Sequence, residues 1–216
     1  VKMHLDKAVG NFASGSQMYI FKVAGSESFY QGDINHDKRI DENDLTSYMN
    51  YTGLRKGDSD FDYVSAGDIN KNGLIDAYDI SCVATELDGG VRNSNDKVAG
   101  KLVLTPNKKT FAAGDMVEVT VSGKGLHYVN ALSFALPYST SELEYAGVEL
   151  LNMKDMVNLT YDRLHTNGQK ELFPTFVNRG DHNLFVIKFK AKKAGKFNLT
   201  AKDGMLVDRN LGTVNF

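Results

Sequence analysis

Apolar positions along this chain change their period twice, and the changes divide it into stretches of different character. In residues 1–31 apolar and polar residues alternate over Val1 to Leu5 and again over Met18 to Val23, with a Gly/Ser-rich turn from Gly10 to Ser16 between them. That pattern predicts a β-hairpin. A hairpin alone is marginal in water, so it is expected to be the remnant of an upstream β-module. Residues 32–90 switch to the one-sided offsets of a helix. Leu45, Tyr48 and Met49 follow one Asp/Asn-rich loop, and Ile80, Val83, Ala84 and Leu87 follow a second. Asp88-Gly89-Gly90 supplies a glycine-rich stop, and residues 91–100 read as a polar linker. From Lys101 to Phe216 the period is two. Val117, Val119 and Val121 make one stripe; Leu132, Phe134 and Leu136, then Phe185, Ile187 and Phe189, then Phe197, Leu199 and Ala201 make others. About eight or nine such runs between Gly, Asn and Asp turns predict a two-sheet sandwich.

The two loops of the middle stretch carry the chemistry. From Asp33 the chain reads D-I-N-H-D-K-R-I-D-E-N-D, and from Asp68 it reads D-I-N-K-N-G-L-I-D-A-Y-D, a repeat offset by 35 residues. A hard dication such as Ca²⁺ takes about six to eight oxygens at roughly 2.3–2.6 Å. Positions 1, 3 and 5 offer short oxygen side chains: Asp33, Asn35 and Asp37, then Asp68, Asn70 and Asn72. Position 7 offers a backbone carbonyl (Arg39, Leu74), position 9 an acid acting directly or through water (Asp41, Asp76), and position 12 the closing acid (Asp44, Asp79). Two calcium ions are therefore expected. Ile40 and Ile75, at position 8, are expected to pair across the loops.

Two positions depart from the usual EF-hand pattern. The closing acid is Asp, one methylene shorter than the usual Glu. Position 6 needs a sharp turn that Gly73 supplies and Lys38 does not; a left-handed lysine costs on the order of 1 kcal/mol. A third acidic run, Asp58-Ser59-Asp60-Phe61-Asp62, lacks a closing acid and reads as a solvated turn.

Charge sharpens this division. Of 27 acids and 25 bases, residues 32–90 hold 13 acids and 5 bases, whereas residues 101–216 hold 11 acids and 15 bases. The acidic middle calls for counter-cations. The basic remainder is too mildly charged and too dispersed for nucleic acid. The opposite signs favour contact between the two parts, and a linker of about ten residues, reaching at most roughly 35 Å, permits it. No run is long enough for a membrane span. The single cysteine, Cys82, excludes an internal disulfide and reads as a structural thiol. The first residue, Val1, already has the pattern of a strand, which suggests an excised carboxy-terminal piece of a longer protein.

Tandem loop-then-helix repeats with Asp at position 12, and no helix entering each loop, resemble the dockerin family over about residues 32–88. The resemblance implies a small all-α, EF-hand-like module of a secreted carbohydrate-active enzyme that binds cohesins. It also implies that positions 10 and 11, here Glu42-Asn43 and Ala77-Tyr78, help choose the partner. Ala113-Gly114-Asp115 before a valine-rich strand, the run Leu136 to Tyr145, and the Leu184 to Lys190 strand are similar to the cohesin family, which implies an all-β jelly-roll sandwich. The amino-terminal hairpin is similar to the last strands of a discoidin-like module.

The fold expected is thus multidomain. Its parts are a hairpin remnant at 1–31, a dockerin-like calcium module at 32–90, a linker at 91–100 and a cohesin-like sandwich at 101–216. Its expected role is calcium-dependent protein–protein interaction at the carboxy-terminus of a glycoside hydrolase, on the bacterial surface, in the periplasm or outside the cell. The partners implied are cohesin or dockerin modules in trans, or the chain's own two modules packed together, with polysaccharide reached through the parent enzyme. The alternative is a carbohydrate-binding sandwich, against which stand the absence of Trp and the scatter of Tyr128, Tyr138, Tyr145 and Tyr161. An enzyme is disfavoured: the five histidines have no metal-ligand spacing, and no nucleophile elbow or phosphate loop is present.

Overall fold

The computed structural model describes residues 31–90, 92–93, 95–151, 156–178 and 185–216. The amino-terminal hairpin expected at 1–31 lies outside the described residues except for Gln31.

The two repeats build their helices as their sequences dictate. Helix α1 (Glu42–Tyr48) begins after Asp41, whose side chain accepts the Asn43 amide, while Asp44 reaches back to the Asp41 amide in a capping box. Helix α3 (Ala77–Leu87) repeats the arrangement with Asp76, Tyr78 and Asp79. Between them lies a short helix α2 (Phe61–Val64) that runs into a single 3₁₀ turn, Ser65–Gly67. Leu45 and Tyr48 from α1 pack with Ile80, Val83 and Ala84 from α3 around Ile34, Leu54, Val64 and Ile75. Met49 falls off this core and is exposed.

Among the described residues eleven strands follow: β1 (Ala99–Pro106), β2 (Met116–His127), β3 (Ala131–Pro137), β4 (Leu143–Leu150), β5 (Met156–Asn158), β6 (Tyr161–Leu164), β7 (Lys170–Phe173), β8 (Thr175–Asn178), β9 (Phe185–Ala191), β10 (Lys202–Val207) and β11 (Thr213–Asn215). One sheet has the order β1-β2-β9-β4. The other runs β11-β10-β3-β7-β6, with β8 joining β3 to β5. Both are antiparallel throughout. The valine stripe of β2 and the Phe185, Ile187 and Phe189 stripe of β9 face Leu132, Phe134 and Leu136 of β3, together with Phe176 and Leu206, to form the sandwich core. Their alternate residues on β9, Lys188 and Lys190, lie outside the core. The expected strand through Phe197 and Leu199 does not form. Those residues belong to no strand, and they lean on the core from its rim, while the paired strand is β10.

Strand β3 breaks the alternation. Six of its seven residues are buried, including Ala131, Ser133 and Ala135 on the side away from the sandwich core. What covers that side is α3, which lies against β3, β8 and β10. The helical core accordingly runs on into the sandwich, through Leu159 and Val177.

Candidate metal centres and the seam between the modules

The two loops share one backbone-amide frame and differ in a side-chain bond, since Asn35 Nδ2 donates to Asp37 in the first and Asn72 Nδ2 to Asp76 in the second. In the first, Asp33 Oδ1 and Oδ2 accept the Asp37 and Lys38 amides at 3.0 and 2.9 Å; in the second, Asp68 Oδ1 and Oδ2 accept the Asn72 and Gly73 amides at 3.1 and 2.9 Å. Asn35 and Asn70 each accept the amide two residues on, at 2.9 and 3.0 Å, and Asp37 and Asn72 do likewise toward Arg39 and Leu74, both at 2.8 Å. The closing acids bind the start and the end of their own loops. Asp44 accepts from Ile34 at 3.1 Å and Asp41 at 2.9 Å, and Asp79 accepts from Ile69 at 2.7 Å and Asp76 at 2.9 Å. This folding-back is how the shorter acid closes the ring without the extra methylene of Glu.

The backbone bends at two places per loop. Position 6 is left-handed in both, at Lys38 (φ 71°) and Gly73 (φ 84°). Position 4 is left-handed as well, at His36 (φ 63°) and Lys71 (φ 59°), a requirement the sequence pattern did not disclose. Ile40 and Ile75 share the helical core, but the backbone of Ile75 is bonded elsewhere than to Ile40. Ile75 donates to the Leu54 carbonyl at 3.0 Å and accepts from Gly53 at 2.8 Å, and Lys56 donates to the Gly73 carbonyl at 2.8 Å. A short ladder thus ties residues 53–56 to the second loop.

Burial brings like charges together. Asp33, Asp44 and Asp79 are fully buried, and Asp76 and Asp68 nearly so. Burial, then the Asp76 carboxylate beside it, pushes Asp79 well above the usual carboxyl range; burial raises Asp76 and Asp44 in the same direction. Among the described residues, no three acids, histidines or cysteines form a metal-holding group by themselves. The donor set instead mixes carboxylates with Asn amides and backbone carbonyls, all of them oxygens. Such a set around buried, mutually repelling acids fits a hard dication that supplies the missing positive charge.

The partner-choosing positions separate. Glu42 and Asn43 are exposed, whereas Ala77 is fully buried and Tyr78 half-buried, packed with Ala131, Val207, Met205 and Leu211 of the sandwich. The Ala77 amide, a donor left free by helix geometry at the first turn, reaches Ser133 Oγ at 3.0 Å. One turn on, Ser81 Oγ donates to the Asp208 carbonyl at 3.1 Å. The buried Asn130 amide donates to Ser81 Oγ at 2.7 Å and Thr85 Oγ1 at 3.1 Å. Small side chains at 77, 81 and 85 let the sheet approach this closely.

A second group of contacts lies along residues 50–59. Thr52 Oγ1 donates to the Leu159 carbonyl at 2.8 Å, and Arg163 donates to the carbonyls of Thr52 and Asn50 at 3.1 and 2.7 Å. Arg163 also lies 4.2 Å from the Tyr161 ring centre. Arg55 meets Glu171 at 3.3 Å and Asp203 at 2.8 Å. His165, buried, stands between Asp58 (2.8 Å) and Glu171 (2.7 Å). Of the run at 58–62, expected as a solvated turn, Ser59, Asp60 and Asp62 are exposed, whereas Phe61 is buried and Asp58 is bound into the seam. Asp58 takes the Arg55 amide at 2.9 Å and the Thr166 amide at 3.0 Å. Burial pushes the Asp58 carboxyl up, but these two amides and the His165 ring outweigh it and hold the group below its ordinary value. The joining charges run both ways: Arg55 of the acidic part meets Glu171 and Asp203, whereas Arg209 of the sandwich meets Asp88 at 3.5 Å.

Other candidates recede. Cys82 is half-buried rather than fully buried, and burial, followed by the Asp79 charge, pushes its thiol to about 11, so it is no thiolate. Tyr138 and Tyr145 pack on Phe189, and Tyr138 donates to Asp162, which leaves them away from any flat sugar platform.

With this geometry in view, comparison with known proteins adds a family. Residues 31–88 match the dockerin type I domain, so this part of the chain is a dockerin domain. Dockerin domains bind calcium. Solved structures similar to part of the chain include cohesin modules. The cohesin module of a Clostridium perfringens family 33 glycoside hydrolase has a TM-score of 0.44 and 12% identity, covering 56% of this chain and 91% of that one. The second type II cohesin of the Acetivibrio cellulolyticus adaptor ScaA scaffoldin has a TM-score of 0.42 and 10% identity, covering 54% and 83%. No curated protein matches the chain. Among the described residues no helix is long and apolar enough to cross a membrane.

Proposed function

We propose that this chain is a non-catalytic, calcium-dependent interaction unit whose dockerin domain takes the cohesin-like sandwich of its own chain as its partner. The observation that carries this is the seat of α3: Ala77, Ser81 and Thr85 meet Ser133, Asp208 and Asn130 in a buried, hydrogen-bonded contact. In this reading Asp33, Asn35, Asp37, Arg39, Asp41 and Asp44 hold one calcium ion, and Asp68, Asn70, Asn72, Leu74, Asp76 and Asp79 hold the other. The ions supply the counter-charge that lets the loops close and present their helices. Ala77 and Tyr78 serve the internal contact, and Glu42 and Asn43 stay open to solvent. The dockerin domain supports a place in a secreted bacterial carbohydrate-active enzyme, with a glycoside hydrolase as the parent.

Calorimetry of the full chain in chelator-treated buffer, paired with small-angle scattering, tests this. About two calcium equivalents per chain are expected, and chelation should extend the particle as α3 leaves the sandwich. No calcium uptake, or a particle equally compact with and without calcium, would refute it.

A further inference from the structure

We propose that the second calcium loop alone latches the dockerin domain onto the sandwich, and that the first loop's ion is dispensable for that contact. This rests on the calcium reading above and goes beyond it by dividing the labour between two loops of matching geometry.

Two routes connect the second loop to the sandwich. The first is α3 itself. Asp76 caps it and Asp79 stands in its first turn, so the end of the loop is the start of the docking helix. The next residue after the cap, Ala77, gives its amide to Ser133. A shift of the loop of even an ångström breaks that bond and moves Ser81 and Thr85 away from Asn130. The second route is the ladder of residues 53–56. Gly53, Leu54 and Lys56 are hydrogen-bonded to Ile75 and Gly73 of the second loop, and their neighbours Thr52, Arg55 and Asp58 hold Leu159, Glu171 and His165. Both halves of the seam are therefore anchored to the loop at Asp68–Asp79.

The first loop's link is longer: α1 ends at Tyr48, whose carbonyl takes the Thr52 amide at 2.9 Å, and only past the helix do Asn50 and Thr52 meet Arg163 and Leu159. The oxygens of Asp33, Asn35, Asp37 and Asp44 take their hydrogen bonds from amides of the same loop. Its helix packs chiefly on α3. The repeat offset also shows why α1 cannot replace α3. The positions equivalent to Ala77, Ser81 and Thr85 are Glu42, Thr46 and Asn50, and a glutamate in place of Ala77 would be driven into the apolar pocket of Ala131 and Val207.

Paired variants of the full chain test the division: Asp33→Ala against Asp68→Ala, and the milder Asn35→Ala against Asn70→Ala. Calorimetry counts the ions, and hydrogen exchange follows peptides covering 130–135 and 171–177 on the seam and 185–191 on the far sheet. With calcium at about 100 times its dissociation constant, linkage predicts that chelating wild type speeds seam exchange by up to about 100-fold. The second-loop variants should reproduce that loss with calcium present, and the first-loop variants should stay protected while each loses one ion. The latch is overturned if the paired variants open the seam equally, or if the second-loop variants lose an ion and stay closed. A wild type that takes up no calcium overturns the calcium reading itself, a different result. If Asp68→Ala also deprotects 185–191, it has disturbed the whole fold, and the Asn70→Ala and Asn35→Ala pair decides.

Discussion

Replacing Gly53 with alanine isolates the seam in a single methyl group. Gly53 has φ +78°, and a Cβ built there would sit 2.5 Å from Phe173 Cγ, 2.7 Å from its Cβ and 2.9 Å from Cδ2. Carbon atoms are comfortable at about 3.5–4.0 Å, so the overlap is about 1 Å. Phe173 cannot retreat, because it is fully buried and its backbone is paired with Tyr161. Overpacking of this kind costs about 1–3 kcal/mol, on top of about 1–2 kcal/mol for a left-handed alanine. Gly57 is the control. It too has positive φ, at +103°, but nothing lies within 4 Å of its notional Cβ. The alanine variant at 57 therefore carries the backbone cost alone, and subtraction leaves the overlap with the sandwich. Urea unfolding should show Gly53→Ala less stable than Gly57→Ala by about 1–3 kcal/mol, with the extra loss appearing as faster exchange at residues 171–177. Equal losses at the two positions would refute the packing of residue 53 against the sandwich.

Three further outcomes follow from the same contacts. Lys38→Gly, which removes a left-handed lysine (φ 71°), should stabilise the chain by about 0.5–1 kcal/mol after the glycine's own entropic cost, read as a higher melting temperature in calcium; a lower one contradicts it. Arg163→Ala strands the Thr52 and Asn50 carbonyls and should cost about 2–3 kcal/mol in urea unfolding, while no change would mean that water replaces the guanidinium freely. Asp58, with its carboxyl depressed in the folded chain, stabilises the seam above the ordinary carboxyl range, and that contribution is lost as pH falls through the depressed value. Scattering during acid titration in calcium should show the seam loosening there, and Asp58→Asn should remove that step; an unchanged titration in the variant would assign the step elsewhere.

Much of this molecule was legible without coordinates because its rules are local. A twelve-residue loop with oxygens at fixed offsets must curl around one point, and an Asp at position 9 followed by one at position 12 caps the helix that begins there. Hence both loops and α1 and α3 could be read from Asp33 to Asp44 and from Asp68 to Asp79. The stripes of β2 and β9 were readable for a similar reason: each has one face in the core and one in water, so the alternation records the burial. Phe197 to Ala201 misled because period two marks which side chains turn inward, and says nothing of whether the backbone finds a partner.

The seam was decided by the tertiary structure alone. Thr52 meets Leu159, Arg55 meets Glu171, and Asn130 meets Ser81, each across a long stretch of chain that no local pattern spans. Net charge pointed to contact, yet it did not indicate that Arg55 on the acidic side would meet acids on the basic one while Arg209 and Asp88 paired in the opposite sense. The one trace in the sequence was Ala131, Ser133 and Ala135, small and uncharged on the face of β3 that an exposed sheet would make polar. Sequence determined what each half could become. Which face each half turned to the other depended on shape and hydrogen bonding that exist only once both have folded.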